Sequence, residues 1–480
     1  MRVKTSVFHN SIMNIILTTS SFIFPLVTFP YVSRILLPEG IGKVSFATSI
    51  VSYFLIISQL GIPIYGIRAC AKVRDDKDEL NKTVQEIFYI SMVMCIISYV
   101  LLGVSIKSVP RFEEEQKLLM VVSLNILFTT LGVEWLYKAL EMYSYITWRS
   151  IVFKMIALIT MVLFVNKKED YVIYGAISIL ASSASGIMNF MYLHKFVDLK
   201  KQYSLDFCKH MKPILVFFAV SCATTVYLNL DTVMLGFMTT DADVGYYNAA
   251  VKIKNMLVSV VTSLGAVLLP RVTYFIENGE KDKFKNLSIK VVQFVYFLSF
   301  PLMIYFVVFA KQVVLFISGE DYYSAILPMQ CMMPTLLFIG LTNIMGMQIL
   351  VPLGKEDKVL ISVIAGAVVD LIINAILIPR FAATGAAIGT MVAEMVVFIF
   401  QYFSDRKLFT ELFQNIKPLK IVMASMLGGI ASIWALYMSF SYFMSLLLGC
   451  GCFAIVYLVC LCILKEPLIE EIKGIIKNYR

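Results

Sequence analysis

The chain has 480 residues, of which 59% are hydrophobic and only 15% are charged. This composition excludes an ordinary soluble globular protein, in which about a quarter of the residues carry charge. The net charge of +9 does not indicate nucleic-acid binding, because the basic residues are concentrated in the connections between apolar runs. We therefore expect an all-α polytopic membrane protein with no nucleic-acid partner.

Apolar runs of about 20 residues recur along the chain, and this length crosses a hydrocarbon layer of ~30 Å as a helix. We predict about fourteen spans, near residues 11–33, 41–65, 85–106, 118–137, 144–165, 171–193, 213–238, 245–270, 289–310, 324–350, 357–379, 384–403, 418–440 and 443–464. Lys and Arg in the alternate connections that include the N terminus outnumber those in the others by about three to one. This bias predicts that both termini lie in the cytoplasm.

The first two spans carry the earliest candidate residues. Span 1 contains Pro25 and Pro30, which interrupt the helical hydrogen-bond ladder and should kink it. It lacks the cleavage site of a secretory signal, so we expect it to remain as an anchor. Arg34 and Arg68 follow the ends of spans 1 and 2. They would either line the mouths of a polar cavity or extend to the membrane interface.

Span 5 contains Lys154 near its middle, in the run ITWRSIVFKMIAL. A cation at the centre of a span costs about 2.5–3.5 kcal/mol on insertion scales, so it must face protein, water or a partner. The neighbouring spans offer no acidic residue at the same depth. We therefore predict that Lys154 faces a wet cavity that receives anions.

Spans 7 and 8 carry Asp231 and Lys252 at similar depth. Each lies about seven residues from the outer end of its span, or about 10 Å at 1.5 Å per residue. The two residues could form a buried ion pair that fixes helix packing. Alternatively, Asp231 binds a coupling proton or cation, with Asn229 and Thr232 completing a hydrogen-bonded site. Lys254, two residues from Lys252, should point elsewhere.

Spans 11 and 12 carry two acids, Asp370 and Glu394, each about ten residues from the outer end of its span. Two carboxyl groups at equal depth in one hairpin could share a proton. The simpler interpretation, which we favour slightly, is that each is neutral and hydrogen-bonds to a nearby polar residue such as Asn374.

An internal repeat is visible at an offset of about 203 residues, where Gly42 and Ala47 match Gly245 and Ala250. In both segments a turn follows one apolar helix and a glycine begins the next. We predict two six-helix lobes, residues 1–205 and 206–410, followed by a helical pair with a cytoplasmic tail, residues 411–480. Two repeated bundles favour a transporter with a cavity between halves over a structural membrane protein.

Enzyme chemistry and metal binding are not expected from this sequence. The nine cysteines are scattered, and the pairs at i, i+2 spacing point to different faces of a helix. No loop exceeds about 20 residues, which is too short for a soluble catalytic domain. We predict no cofactor, no metal and no disulfide framework.

Several segments resemble the polysaccharide-transport branch of the multidrug/oligosaccharidyl-lipid/polysaccharide exporter superfamily, the Wzx-type flippases of O-antigen and capsule. The resemblance runs from about residue 8 to 465. It is carried by RILLPEGIGKVSFA from Arg34, by Glu134-Trp135 with Ala139-Leu140-Glu141, by Thr147, Arg149 and Lys154, and by LIIN with IPRFAATGAAIGT at 371–390. Family members often have Asn where Asp370 stands, which weakens the case for a shared role of that acid.

The resemblance implies an architecture like that of multidrug exporters of the same superfamily, in the inner membrane of a bacterium. It also implies transport of an undecaprenyl-diphosphate-linked oligosaccharide repeat unit to the outer leaflet. Lys154, Lys252, Arg34 and Arg68 would bind the diphosphate, and membrane lipids would surround the prenyl tail. A glycan polymerase and a chain-length regulator are the implied partners.

Two competing functions remain open at this point. A cation-coupled drug antiporter of the same superfamily should have an acidic, aromatic pocket rather than a lone lysine in its first half. A membrane glycan polymerase usually needs a large outer loop, whereas the longest predicted here has about thirteen residues.

Overall fold

The computed structural model describes residues 7–198, 201, 203–414, 416–438 and 440–470, and this part of the chain is all helical with no strand. It divides into two compact units, Met1–Gly245 and Tyr246–Arg480. The predicted all-α membrane fold is confirmed. The predicted boundaries at residues 205 and 410 remain predictions.

Unit 1 is built from the first ten helices and the start of the eleventh. They are α1 (Val7–Gln59), α2 (Ile62–Val73), α3 (Lys77–Ser108), α4 (Pro110–Glu114), α5 (Gln116–Gly132), α6 (Glu134–Ala139), α7 (Tyr143–Phe164), α8 (Tyr171–Ser182), α9 (Ser185–Leu193), α10 (Cys208–Met238) and α11 (Asp241–Glu277). A core cluster that includes Ile62, Val84, Ile87 and Leu136 packs α2, α3 and α6 together.

Unit 2 contains the rest of α11 and nine further helices. They are α12 (Lys281–Val308), α13 (Ala310–Ser318), α14 (Ile326–Met332), α15 (Thr335–Thr342), α16 (Glu356–Ser404), α17 (Arg406–Gln414), α18 (Pro418–Ser432), α19 (Trp434–Tyr437) and α20 (Tyr442–Ile463). A π-helix, Asn343–Leu350, continues α15. Its core cluster includes Val291, Val292, Leu341 and Phe409.

Two long helices contain internal breaks that fall between predicted spans. In α1 the backbone leaves the helical conformation at Leu37, which has a φ of 59° and precedes Pro38. A residue before proline avoids the helical region, which accounts for the position of this break. Pro25 and Pro30 lie within the helix before it. In α16 the break lies at Ala382, between predicted spans 11 and 12.

The described part of the structure contains fewer long apolar helices than the fourteen spans that the sequence predicts. Eight helices of the described residues are long and apolar enough to cross a membrane, or ten if each of two bent helix pairs forms one span. Two of the eight, His9–Val73 (α1 with α2) and Glu356–Ser404 (α16), each overlap two predicted spans. The figure of fourteen is therefore not confirmed and stays a prediction.

Candidate functional site

Lys154 projects from the middle of α7 toward the first half of α1. Its Nζ donates hydrogen bonds to Ser20 Oγ and Ser21 Oγ, each at 2.9 Å. The side chain is half-buried, and no carboxylate of the described residues lies within ion-pair distance of it. The partners that the structure gives to Lys154 are therefore hydroxyl groups, and its role in binding anions stays a prediction.

The lipid-facing side of α7 lies away from Lys154. Trp148, Val152, Ile159 and Val162 are exposed and form one apolar stripe along the helix. At 100° per residue, Lys154 lies about 130° from the middle of this stripe. Its ammonium group is therefore directed toward other helices rather than toward lipid.

The two serines that bind Lys154 are themselves fixed to their helix. Ser20 Oγ and Ser21 Oγ donate to the carbonyl of Leu17, at 2.7 and 3.0 Å. Their lone pairs are thereby turned toward the lysine. The same two helices are also joined nearer their N-terminal ends by Thr147, whose Oγ1 donates to the Met13 carbonyl at 2.9 Å. Parallel packing of α1 on α7 thus places two hydroxyl groups at the depth of the cation.

Asp231 lies on the face of α10 that packs against the second half of α1, not on a lipid face. It is only 6% exposed and lies near Tyr53 of α1. Asn229, which was predicted to complete this site, donates from Nδ2 to the Thr225 carbonyl of its own helix at 3.0 Å. Asp231 therefore faces other helices of unit 1 rather than lipid.

Lys252 belongs to unit 2, whereas Asp231 belongs to unit 1, so the pair that the sequence suggests stays a prediction. Lys252 is half-buried on α11. Lys254 is the more deeply buried of the two lysines, with 8% of its surface exposed. The two side chains point to different faces of the helix, as their spacing predicts.

The two arginines proposed for the cavity mouths are both exposed. Arg34 Nη1 donates to the carbonyl of Pro30, one turn earlier in α1. The guanidinium of Arg68 lies over the ring of Phe217 of α10, 5.1 Å from its centroid. Their assignment to substrate binding stays a prediction.

The two halves of α16 pack closely around Asp370 and Asn374. A Cβ atom on Gly389 would collide with Asn374 Oδ1 and would lie 3.0 Å from Asp370 Oδ1. A Cβ atom on Gly385 would lie 2.5 Å from the Leu377 carbonyl oxygen. In an antiparallel pair with these approaches, Asp370 is level with Glu394. Both acids are buried, at 1% and 9% exposure.

The sequence reasoning missed a cluster of four charges beside the break in α1. Lys43 Nζ pairs with Glu115 Oε1 at 2.5 Å, and Arg111 pairs with Asp241 at the start of α11. Burial raises the pKa of the Asp241 carboxyl, although Arg111 and Lys43 oppose the shift. The Asp241 carboxylate therefore takes up a proton at a higher pH than an exposed aspartate does. The available signal was the charged segment PRFEEE at 110–115 together with Lys43 inside the motif RILLPEGIGKVSFA.

A second network lies between α6 and α7. The buried Arg149 donates from Nη2 to Glu134 Oε2 and from Nη1 to the Ser185 carbonyl, each at 3.3 Å. Lys138 also pairs with Glu134, at 2.8 Å. Glu134 and Arg149 are two of the motif residues identified in the sequence, and this contact joins them.

A model of the family described as "Polysaccharide biosynthesis protein" matches residues 7–275, more than half of the chain. The chain belongs to the polysaccharide biosynthesis protein family. The matched segment of this polysaccharide biosynthesis protein contains Lys154, Asp231 and the charge cluster around Arg111.

Curated relatives of this polysaccharide biosynthesis protein match it over most of its length. A protein of Escherichia coli (strain K12) described as a "Putative O-antigen transporter" is 23% identical over 396 residues, which cover 82% of this chain and 95% of the relative. A protein of Shigella dysenteriae with the same description is 24% identical over 388 residues, which cover 79% and 95%. Both descriptions are of transporters and not of enzymes, in agreement with the sequence-based prediction.

Two solved structures share the fold of this polysaccharide biosynthesis protein. The "Lipid II flippase MurJ, inward closed conformation" has a TM-score of 0.68 at 17% identity, with coverage of 93% of this chain and 99% of that one. An inward-facing multidrug resistance MATE family transporter of the MOP superfamily has a TM-score of 0.60 at 15% identity, with coverage of 87% and 98%. At these identities the likeness concerns the fold alone, and it confirms the predicted exporter-like architecture.

Proposed function

We propose that this protein is a flippase that moves an undecaprenyl-diphosphate-linked oligosaccharide repeat unit across the bacterial cytoplasmic membrane by alternating access. Membership of the polysaccharide biosynthesis family and the O-antigen transporter descriptions of two relatives support this function. The product would supply O-antigen, capsule or exopolysaccharide synthesis. A glycan polymerase and a chain-length regulator would act on it next.

The observation that carries the proposal is the position of Lys154. Its ammonium group is held by two hydroxyl groups, with no carboxylate of the described residues to neutralise it. A cation held in this way keeps its positive charge available to an anion. A diphosphate that leaves water must find such groups in place of its hydration shell.

The number of donors on the ammonium fits this role. Lys presents three N–H donors, and the serines accept two of them. The third N–H can be directed at a phosphate oxygen without disturbing the serine contacts. Lys252, Arg34 and Arg68 are proposed as further contacts to the diphosphate, and the prenyl tail would remain in lipid.

The proposal is tested by Lys154→Ala in a strain that lacks the chromosomal copy of this gene. We expect surface glycan to be lost while the amount of protein in the membrane is unchanged. Lys154→Arg is the charge-retaining comparison and should keep part of the export. Lys283→Ala, which removes an exposed cation with a 66% exposed side chain, is the matched control.

The outcomes separate the competing functions. Normal surface glycan in the Lys154→Ala strain would contradict the role of the cation. If deletion of the whole gene left surface glycan intact but sensitised cells to cationic drugs, the antiporter function would replace the flippase.

A further inference from the structure

The first turns of α3 hold the described residues between α9 and α10, which are 194–198, 201 and 203–207. Gln85 Nε2 donates to the carbonyls of Asp198 and Lys201, both at 2.9 Å, and the Asp198 N–H donates to Asn81 Oδ1 at 3.2 Å. Tyr203 OH donates to Asp78 Oδ1 at 3.0 Å. The polar residues 78, 81 and 85 share one face of α3, so the connection is fastened along this helix.

Glu86 ends this row of contacts and is fully buried. Its Oε1 accepts a hydrogen bond from the Asp206 N–H at 2.8 Å. Its Oε2 lies 2.8 Å from both Lys209 Nζ and His210 Nε2. Three donors around one carboxylate satisfy its ionised form, because a protonated carboxyl group would lose acceptor capacity. Glu86 therefore ties the connecting segment and the first turn of α10 to α3.

His210 is only 2% exposed and bridges three helices. Its Nε2 faces Glu86, and its Nδ1 lies 2.6 Å from Tyr65 OH of α2. With Glu86 ionised, Nε2 carries a proton and donates it. In the neutral ring, Nδ1 accepts a hydrogen bond from the Tyr65 hydroxyl. In the charged ring, Nδ1 carries a proton and donates to the Tyr65 oxygen. A hydroxyl group can serve as either donor or acceptor, so both contacts are possible.

We propose that His210, Glu86 and Tyr65 form a buried proton-binding site that controls how firmly residues 203–210, which lead into α10, are held on α3. Both protonation states of the imidazole find partners without movement of the helices. Histidine is the side chain whose charge ordinarily changes between pH 5 and 8. None of these three residues belongs to the proposed diphosphate-binding or coupling sites.

The charges around His210 set the direction of the effect. Glu86 and Lys209 form a balanced pair while the ring is neutral. Among the described residues, Asp206 lies on the Glu86 side of the ring, and Tyr65, which Cys70 influences, lies on the other side. Protonation places a positive charge on the ring 2.8 Å from the Glu86 carboxylate, which adds a Coulombic attraction to a hydrogen bond whose acceptor is already ionised. The side chain of Lys209 is 39% exposed and can shift toward water. Acidification should therefore tighten the attachment.

The test is amide hydrogen exchange of the full-length protein in detergent, followed by mass spectrometry of a peptide that covers residues 203–210. Rates at pH 6 and pH 8.5 are corrected for the intrinsic pH dependence of exchange. We expect protection of this peptide to be severalfold greater at pH 6, because the charged ring adds a Coulombic attraction to Glu86. The readout requires no substrate and is independent of transport.

Three variants make the result specific. His210→Gln keeps an N–H donor toward Glu86 but cannot gain a proton, so protection should be equal at the two pH values. Glu86→Gln should lower protection at both. His194→Gln is the matched control, because His194 is exposed and contacts only the Met191 carbonyl of its own helix among the described residues. It should leave the pH response intact.

Two results would overturn the proposal. One is equal corrected protection of the wild-type peptide at pH 6 and pH 8.5. The other is a pH response that survives in His210→Gln or disappears in His194→Gln, since the responsible group would then lie elsewhere. If Glu86→Gln unfolds the protein, exchange will be fast throughout α3 and α5. The comparison of the wild type with His210→Gln then remains the test of the proposal.

Discussion

The hydroxyl groups of Ser20 and Ser21 lower the free-energy cost of placing the Lys154 ammonium within an apolar helix. The cost of a charge in a membrane falls when nearby polar groups replace water, and Ser20 and Ser21 serve this purpose at 2.9 Å. The sequence reveals the lysine, because a cation stands out in an apolar run. It does not reveal the serines as partners, because they are 133 and 134 residues away and helix register decides which of them face α7.

At the residue scale, we predict that replacing both serines by alanine reduces transport without abolishing it. The cation would keep its charge but lose two acceptors that orient it, at a cost of about 1.5–3 kcal/mol for each hydrogen bond to a charged group. Surface glycan measured at equal protein level should fall severalfold. The single change Thr18→Ala, which removes an exposed hydroxyl bonded only to its own helix, is the comparison. Unchanged glycan in the double variant would show that the serines do not orient the lysine.

At the element scale, two glycines that match in the internal repeat touch each other. A Cβ atom on Gly42 would overlap the Asp241 carbonyl and would lie 3.0 Å from the Gly245 backbone nitrogen. A Cβ atom on Gly245 would overlap the Pro38 carbonyl. The repeat pattern predicts that both positions begin helices after a turn. That they pack against one another could not be predicted, because the contact depends on how α1 breaks at Leu37.

Replacement of Gly42 by alanine should therefore destabilise the protein. The added methyl group meets backbone atoms that cannot rotate away, and overpacking of this kind costs about 1–3 kcal/mol. The melting temperature of the purified protein in detergent should fall. Gly103→Ala is the matched control, because a Cβ atom at this exposed position of α3 meets nothing within 4 Å. Equal melting temperatures for the two variants would contradict the close approach.

The charge cluster at the start of α11 allows a second prediction at this scale. Arg111 pairs with Asp241 and also with Glu114, at 3.1 Å for the latter. Asp241→Arg should lower the melting temperature, because it opposes two cations, Arg111 and Lys43. Arg111→Asp combined with Asp241→Arg should recover part of the loss. A double variant less stable than both single variants would show that the pairing does not stabilise the protein.

At the scale of the whole molecule, the acids of the two units have different surroundings. Unit 1 holds Asp231 on a helix face that packs against α1, and unit 2 holds Asp370 and Glu394 level with each other within α16. The fold class, the breaks between predicted spans and the depth of these charges follow from hydropathy and spacing. The unit boundary after Gly245 does not, because α10 packs along α1 and α2 for reasons that only tertiary contacts reveal.

The last prediction concerns energy coupling through Asp231. If this carboxylate carries a proton or cation across the membrane, one charge moving through 100 mV is worth about 2.3 kcal/mol, or up to about 50-fold in rate. In proteoliposomes supplied with undecaprenyl-diphosphate-linked oligosaccharide, wild-type transport should accelerate under an imposed pH gradient or potential. Asp231→Asn should transport at one rate with or without the gradient. Asp321→Asn, which removes the same charge from an exposed site, should respond like the wild type. A full response in Asp231→Asn would assign that residue to helix packing instead.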